Sequence, residues 1–258
     1  MTGQPMPPST PAEPVPVYVV IPAAGSGSRM GAGHNKQFLE VGGLPLIIRT
    51  LLAFEMHSQV TGYVVVTAAD ESEAMALLIQ RFDLRKLIAL ADGGETRQAS
   101  VLSGLRQLQI MRPDAASSVV LVHDGARCFV TGVILDRCIA AIAEKGGACG
   151  AAVPVKDTIK VVSPDGKIEQ TLDRSRLWAL QTPQGAYYSQ LLAAYEQLEK
   201  DGRQVTEDLA AAYPDAVPGL FNVGLLHTAL GGREGHENYA PSSLTTLLDA
   251  YKAASLAV

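Results

Sequence analysis

The sequence predicts an α/β protein organised around one mainly parallel sheet. Short β-branched runs alternate with helix-periodic segments, and three of these runs end directly in polar, glycine-containing turns. The 258 residues, of which 47% are hydrophobic and 18% charged, are typical of an ordinary globular chain with a sizeable core. We therefore expect a single domain over residues 17–258, preceded by a Pro-rich tail at residues 1–16 that we expect to be disordered.

Strands and helices alternate through the first half of the chain. The apolar, β-branched runs predict strands at Val17–Pro22, Tyr63–Thr67, Leu87–Ala91 and Val119–Val122. Helical periodicity predicts helices that begin at Pro45 and that span Glu71–Arg81 and Gln98–Leu108, the last with Thr96 as its N-cap.

The second half continues the alternation but contains an insertion. A helix is predicted over Val133–Glu144, a strand over Ala148–Val153 and a helix over Tyr188–Glu199. Between residues 155 and 178, two extended runs flank the turn Ser163–Gly166, which indicates a β-hairpin. We expect this hairpin to project from the domain as an arm.

The loop after the first strand has the features of a polyphosphate site. Gly25 and Gly27 allow close backbone approach, Arg29 offers a forked guanidinium, and Lys36 supplies a point charge. Two other nucleotide-binding motifs fit this loop less well. Met30 replaces the third glycine of a dinucleotide-binding fingerprint, and the chain lacks the G-K-[ST] triplet of a Walker A loop. Isolated basic loop residues are often merely solvated, but the surrounding glycines favour a nucleotide triphosphate.

Two further strand ends carry candidate site residues. Asp124 follows an apolar run, so its carboxylate can hold Mg²⁺ at the strand end, with Arg127 beside it for a second phosphate; an Asx turn is the alternative. Gly94 and Glu95 can face a base or ribose near Ser100, although a tight turn with helix capping explains the same spacing.

Charge and cysteine content exclude several classes of protein. A net charge of -5 and the absence of a basic run argue against general nucleic-acid binding. The three cysteines lack paired zinc-site spacing and are expected to be reduced thiols. The sequence has neither a long apolar run nor a basic, apolar N-terminal leader, so we expect a cytoplasmic protein without a membrane segment.

Six ordered motifs between Val17 and Asp208 resemble the 2-C-methyl-D-erythritol 4-phosphate cytidylyltransferase family of the non-mevalonate isoprenoid pathway. The residues that carry the resemblance are Ala23-Ala24-Gly25-x-Gly27-x-Arg29-Met30 with Lys36-Gln37, Asp92-Gly93-Gly94 with Arg97 and Ser100-Val101, His123-Asp124-x-Ala126-Arg127, Val153-Pro154-Val155-Lys156-Asp157-Thr158-Ile159-Lys160, Leu172-Asp173-Arg174, and Gln181-Thr182-Pro183-Gln184.

The resemblance implies a Rossmann-like nucleotidyltransferase domain that uses Mg²⁺ and transfers CMP from CTP to a sugar-alcohol phosphate. It implies catalytic roles for Arg29, Lys36 and Arg174 and a metal-ligand role for Asp124. Nucleotide-binding roles are implied for Ala23, Ala24, Gly25, Gly27, Gly94, Glu95, Ser100 and Gly125. Substrate-binding roles are implied for Arg127, Thr158, Arg174 and Thr206. It further implies a homodimer in which the arm, through Thr158 and Arg174, completes the neighbour's site.

The chain departs from the family pattern after Asp208. In residues 209–258, Glu237-Asn238-Tyr239-Ala240-Pro241 stands where an Asn-Ile-Lys-Val-Thr-type segment is expected, so its lysine and a second acidic metal residue are not identifiable. Three explanations stay open: an active enzyme in which Arg233 or Lys252 substitutes, a CTP-binding protein impaired in catalysis, or a sequence altered near its C-terminus. A pentitol-phosphate (ribitol 5-phosphate-type) cytidylyltransferase is a further alternative, although the Val153–Lys160 motif and Trp178 favour the isoprenoid type.

Overall fold

The computed structural model describes residues 15–25, 36–205, 208 and 222–225. The greater part of the predicted tail, the loop positions Gly27 and Arg29, the substrate position Thr206, and most of the divergent C-terminal part lie outside the described residues. What the sequence predicts for those positions stays a prediction.

A seven-stranded sheet forms the centre of the domain, with the order β11-β7-β10-β6-β1-β4-β5. Its neighbouring strands are parallel except at β10, which runs antiparallel to both β6 and β7. The strands are β1 (Val17–Pro22), β4 (Val60–Thr67), β5 (Leu87–Asp92), β6 (Val119–Val122), β7 (Cys149–Pro154), β10 (Trp178–Tyr187) and β11 (Asn222–Leu225). The expected mostly parallel α/β sheet is confirmed.

Five α-helices from the described part of the chain cover the two faces of this sheet. They are α1 (Leu46–Glu55), α2 (Ser72–Arg81), α3 (Arg97–Met111), α4 (Gly132–Lys145) and α5 (Tyr188–Lys200). Side chains of β1 alternate between the faces: Val19 packs in the cluster that contains α1, α2 and α4, whereas Val20 packs in the cluster that contains α3 and α5. Both faces of the strand are therefore buried, as expected of a parallel sheet.

Local sequence signals predict the starts of α1 and α3 to within one residue. The Thr96 side chain accepts a hydrogen bond from the Ala99 backbone N–H at 3.1 Å, which is the predicted N-cap of α3. Pro45 belongs to β3 (Leu44–Pro45), which pairs with β2 (Glu40–Val41), and α1 begins one residue after it. Gly42 and Gly43 make the turn between these strands with φ of 58° and 79°, values that favour glycine.

Two strands of the sheet were not predicted. The sequence pattern gives no strand at β10, because the polar Gln181-Thr182-Pro183-Gln184 run interrupts its alternation, and the pairing with β7 is irregular at the same place, between Leu180 and Gln184. The sequence pattern also predicts no strand after Asp208, where β11 pairs in parallel with β7. Backbone pairing at the edge of an existing sheet accounts for such a short strand, which has little propensity of its own.

The predicted hairpin is present as a separate two-stranded sheet. Strands β8 (Lys160–Val162) and β9 (Ile168–Thr171) pair antiparallel, and every residue of both is exposed. Gly166 adopts a φ of 85° in the connecting turn. No helix in the described part of the chain has both the length and the apolar character needed to cross a bilayer.

Candidate active site

A cleft of about 630 Å³ lies where β1, β5 and β6 end and their connecting loops begin. Such a position at the carboxyl ends of parallel strands is where open α/β sheets bind ligands. The residues that line the cleft are Pro22, Ala24, Gly25, Lys36, Gln37, Gly94, Glu95, Thr96, Arg97, Ser100, Asp124, Gly125, Ala126 and Arg127.

The loop after β5 packs tightly against the loop after β1. An ideal Cβ placed on Gly93 would lie 2.3 Å from the Ala24 Cβ, so only glycine fits there without movement. The buried Ser100 hydroxyl accepts a hydrogen bond from the Gly94 N–H at 3.1 Å and donates one to the Thr96 carbonyl at 3.0 Å. Ser100 therefore holds the turn that lines the cleft.

The loop after β6 is held against the same wall. The Thr50 hydroxyl donates a hydrogen bond to the Gly125 carbonyl at 2.7 Å, and the Gly125 N–H donates to the Pro22 carbonyl at 3.1 Å. A Cβ on Gly125 would lie 3.0 Å from Ile47 and 3.2 Å from Ala23. Close packing thus brings the three strand ends together.

Asp124 lies between two arginines. Its Oδ1 accepts a hydrogen bond from Arg97 Nε at 3.0 Å, and its Oδ2 accepts one from Arg127 Nε at 2.9 Å. Burial alone would raise the pKa of this carboxyl, but the charge of Arg97 and the hydrogen bonds from both guanidinium groups outweigh burial and hold the pKa below its usual range. Asp124 is therefore a carboxylate at neutral pH.

Arg97 connects the cleft to the protein interior. Its Nη1 and Nη2 donate to the two oxygens of Asp208 at 2.9 and 2.8 Å, and the Asp208 side chain is 0% exposed. The Tyr195 hydroxyl also donates to Asp208, and the Asp208 N–H donates to Gln184 Oε1 at 2.8 Å. Burial lowers the pKa of Arg97, but the bidentate hydrogen bond to Asp208 and the negative charge of Asp208 raise it by more than burial lowers it. The guanidinium therefore stays charged.

His123 is a buried neutral residue behind the cleft. Its Nε2 hydrogen bonds to the Arg127 carbonyl at 3.0 Å, and its ring meets the edge of the Phe54 ring with centroids 5.2 Å apart. Burial lowers the pKa of His123 to about 4. His123 is thus a packed histidine, and its hydrogen bond holds the backbone of Arg127.

The cleft brings together predicted site residues that lie far apart in the sequence. Those that line it are Ala24, Gly25, Lys36, Gly94, Glu95, Ser100, Asp124, Gly125 and Arg127. Ala23 instead lies buried beneath the loop, and its N–H donates to the Val66 carbonyl at 2.7 Å. Thr158 and Arg174 belong to the arm region and do not line this cleft; Arg174 Nη1 donates to the Lys156 carbonyl at 3.2 Å.

Sequence reasoning missed the part played by Arg97 and Asp208. Arg97 lies directly after an N-cap, where a helix start favours acidic side chains over basic ones, and this mismatch was a readable signal. Nothing local to Asp208 marks it as the buried partner. The two residues are 111 positions apart in the chain.

The donor set suits a magnesium ion that arrives with a phosphate ligand. Each oxygen of Asp124 accepts from one arginine, which leaves further lone pairs, and the Asp124 side chain is 29% exposed. Mg²⁺ is commonly held by one or two carboxylates together with substrate phosphates and water. Among the described residues no cluster of three or more metal-binding side chains occurs, so the substrate would have to supply the remaining ligands.

Comparisons with known proteins agree with the motifs. Residues 17–216 match the family model for 2-C-methyl-D-erythritol 4-phosphate cytidylyltransferase. A protein of that name from Microcystis aeruginosa is 46% identical over 209 residues, covering 81% of this chain and 89% of the relative. One from Geobacillus thermodenitrificans is 46% identical over 190 residues, covering 73% of this chain and 79% of the relative.

Solved structures show the same fold. The crystal structure of 2-C-methyl-D-erythritol 4-phosphate cytidylyltransferase from Thermus thermophilus superposes with a TM-score of 0.61 at 26% identity, covering 93% of this chain and 99% of that one. A 4-diphosphocytidyl-2C-methyl-D-erythritol synthase from Anaerococcus prevotii gives a TM-score of 0.68 at 24% identity, with 93% and 96% covered. Together with the family model and the close relatives, these matches show that the chain belongs to the 2-C-methyl-D-erythritol 4-phosphate cytidylyltransferase family.

Proposed function

We propose that this protein transfers CMP from CTP to 2-C-methyl-D-erythritol 4-phosphate and releases pyrophosphate, in isoprenoid precursor biosynthesis. The observation that carries the proposal is a cleft at three strand ends that Lys36 lines and in which Arg97 and Arg127 both pair with the carboxylate of Asp124. Basic side chains grouped around a carboxylate in one cleft suit a polyphosphate ligand with a divalent metal. The family relationship identifies the nucleotide and the acceptor.

In the proposed reaction an oxygen of the acceptor phosphate attacks the α-phosphorus of CTP. A new P–O bond forms, the bond between the α-phosphorus and the bridging oxygen breaks, and the electron pair leaves on pyrophosphate. Negative charge grows on the leaving group, so fixed cations lower the barrier. Lys36 on one side of the cleft, together with Arg29, would supply that charge.

The nucleotide would be held largely by backbone. Among the described residues, no atom lies within 4 Å of an ideal Cβ position on Gly25, which leaves room on that side for a phosphate to approach its main chain. We assign nucleotide contacts to Ala24 and Gly27 in the same loop, with Ala23 supporting it from below. Gly94, Glu95, Ser100 and Gly125 would form the opposite wall around the base and ribose.

Asp124 would hold the metal. Bound there, Mg²⁺ would neutralise charge on the phosphate oxygens of CTP. The arginines keep the Asp124 carboxylate ionised and fix its direction, so its geometry is prepared before the ligand arrives.

The acceptor would be bound by Arg127 and Thr206 from one chain and by Thr158 and Arg174 from the arm of a second chain. Supporting this assignment, Val162 and Ile168 on the arm are 51% and 65% exposed, an apolar surface that a partner subunit would cover. In that arrangement Arg174 orients the acceptor phosphate for in-line attack. A homodimer and a cytoplasmic location are both parts of the proposal.

Pyrophosphate release tests the proposed function. The protein is incubated with CTP and Mg²⁺ and with either 2-C-methyl-D-erythritol 4-phosphate or ribitol 5-phosphate. We expect release with the former, and loss of at least 100-fold in rate for Asp124→Asn, on the scale of removing one transition-state contact. Release with ribitol 5-phosphate instead would assign the pentitol substrate, and CTP binding without release would identify an impaired homologue.

A further inference from the structure

The guanidinium of Arg97 bridges two carboxylates that differ in their environment. Its Nε contacts Asp124 at the cleft at 3.0 Å, and its two terminal nitrogens contact Asp208 at 2.9 and 2.8 Å. The Asp124 side chain is 29% exposed, whereas that of Asp208 is 0% exposed and does not line the cleft. Arg97 therefore links the buried charge of Asp208 to the cleft.

The charges of this group balance. Arg97 and Arg127 carry two positive charges, and Asp124 and Asp208 carry two negative ones. If Asp208 were neutral, Asp124 would face both arginines alone and the group would be positive by one. A site of net positive charge attracts CTP but repels a divalent cation, and partial burial strengthens both effects.

The position of Asp208 is fixed from several elements. Its N–H donates to Gln184 on β10, and its carboxylate accepts from Tyr195 on α5. The preceding segment is tied to α3, because the Gln98 amide donates to the Arg203 carbonyl at 3.1 Å and accepts from the Val205 N–H at 3.0 Å. The carboxylate is thus a fixed negative charge behind Arg97.

We propose that Asp208 is a positioning residue that sets the Mg²⁺ affinity of Asp124, by compensating the charge of Arg97 and holding its guanidinium in place. This inference rests on the proposed function, in which Asp124 is the metal ligand. Beyond the proposed function, it makes Mg²⁺ binding at Asp124 depend on a buried residue that does not line the cleft.

The test compares Asp208→Asn with wild type by calorimetric titration of CTP, with and without Mg²⁺. Asparagine is nearly the same size but uncharged, so the Mg²⁺ concentration that half-saturates CTP binding should rise about tenfold or more. Binding of metal-free CTP should be unchanged or tighter. An unchanged Mg²⁺ requirement would overturn the inference.

Tyr195→Phe is the matched control, because it removes a hydrogen bond to Asp208 and leaves every charge in place. It should lower thermal stability without moving the Mg²⁺ requirement. An equal shift in Tyr195→Phe and Asp208→Asn would indicate general loosening and would contradict the charge argument.

Asp124→Asn separates this inference from the proposed function. If that variant keeps the wild-type Mg²⁺ dependence, the metal role of Asp124 is wrong; if it loses the dependence while Asp208→Asn does not change it, only the role of Asp208 is wrong. Should Asp208→Asn fail to fold, Arg97→Gln/Asp208→Asn removes both charges together. Its Mg²⁺ requirement should stay within about threefold of wild type, and a tenfold rise would overturn the inference.

Discussion

Replacing Gly93 by alanine should push apart two walls of the cleft. The added Cβ would lie 2.3 Å from the Ala24 Cβ and 3.3 Å from the Thr67 carbonyl oxygen. Carbon atoms pack at about 3.5–4.0 Å, so one of the two loops has to move by more than ~1 Å. Overpacking of this kind costs about 1–3 kcal/mol of stability.

Urea denaturation measures the stability cost of Gly93→Ala, and calorimetry measures its effect on CTP affinity. Both should fall, because the loop that moves carries Ala24 and Gly25, which line the cleft. The double variant Ala24→Gly/Gly93→Ala removes the atom that is struck and should recover more than half of the lost stability. A single variant as stable as wild type, or a double variant without recovery, would refute the packing described for these loops.

Three further predictions follow from the site. Lys36→Ala should reduce turnover about 100-fold or more because it removes a fixed cation, whereas Lys200→Ala at the end of α5 should not; equal turnover in both would remove Lys36 from the mechanism. His123 has a pKa of about 4 when folded against 6.5 as a free group, so the unfolded chain takes up a proton first as the pH falls. The stabilising contribution of neutral His123 is present above pH 6.5 and is lost toward pH 4, at up to about 1.4 kcal/mol per pH unit. In His123→Asn the urea midpoint should therefore change less with pH over that range. A pH dependence equal to that of the wild type would show that other groups dominate. Mixed dimers of Arg29→Ala and Arg174→Ala subunits should regain part of the activity, and no gain in verified heterodimers would place each site within one chain.

The sheet was largely readable because its strands are short apolar runs between glycine-rich turns. Val17–Pro22 and Val119–Val122 match the observed strands, since burial on both faces demands an uninterrupted apolar sequence. Strand β10 lacks that pattern. It was missed because its middle is polar and faces the cleft region, where Thr182 Oγ1 accepts from the Asp124 N–H at 3.3 Å. Hydrogen bonds of buried polar side chains there, which depend on the tertiary fold, replace the apolar pattern on which the prediction depended.

Part of the candidate site could be predicted for the same reason, and part could not. Glycines and charged residues near strand ends indicate a ligand-binding edge, so the positions of Gly25, Gly94 and Asp124 predicted one shared cleft, with a turn or helix cap as the alternative at Gly94 and Asp124. The link from Asp124 through Arg97 to Asp208 could not be predicted, because it depends on how α3 and α5 pack beside each other on one face of the sheet. Pairing over such a separation is a property of the tertiary fold.

Phosphorus NMR of the complete reaction follows both substrates and both products at once and so tests the proposed CMP transfer. CTP, Mg²⁺ and 2-C-methyl-D-erythritol 4-phosphate are mixed with the protein, and the phosphorus signals are followed in time. We expect CTP and the monoester to disappear together while pyrophosphate and a diphosphate diester appear in equal amounts, and we expect Asp124→Asn to slow the appearance of both products at least 100-fold. CTP that binds but stays intact, or CTP that is cleaved to free CMP while the acceptor is unchanged, would show that the protein does not catalyse this transfer.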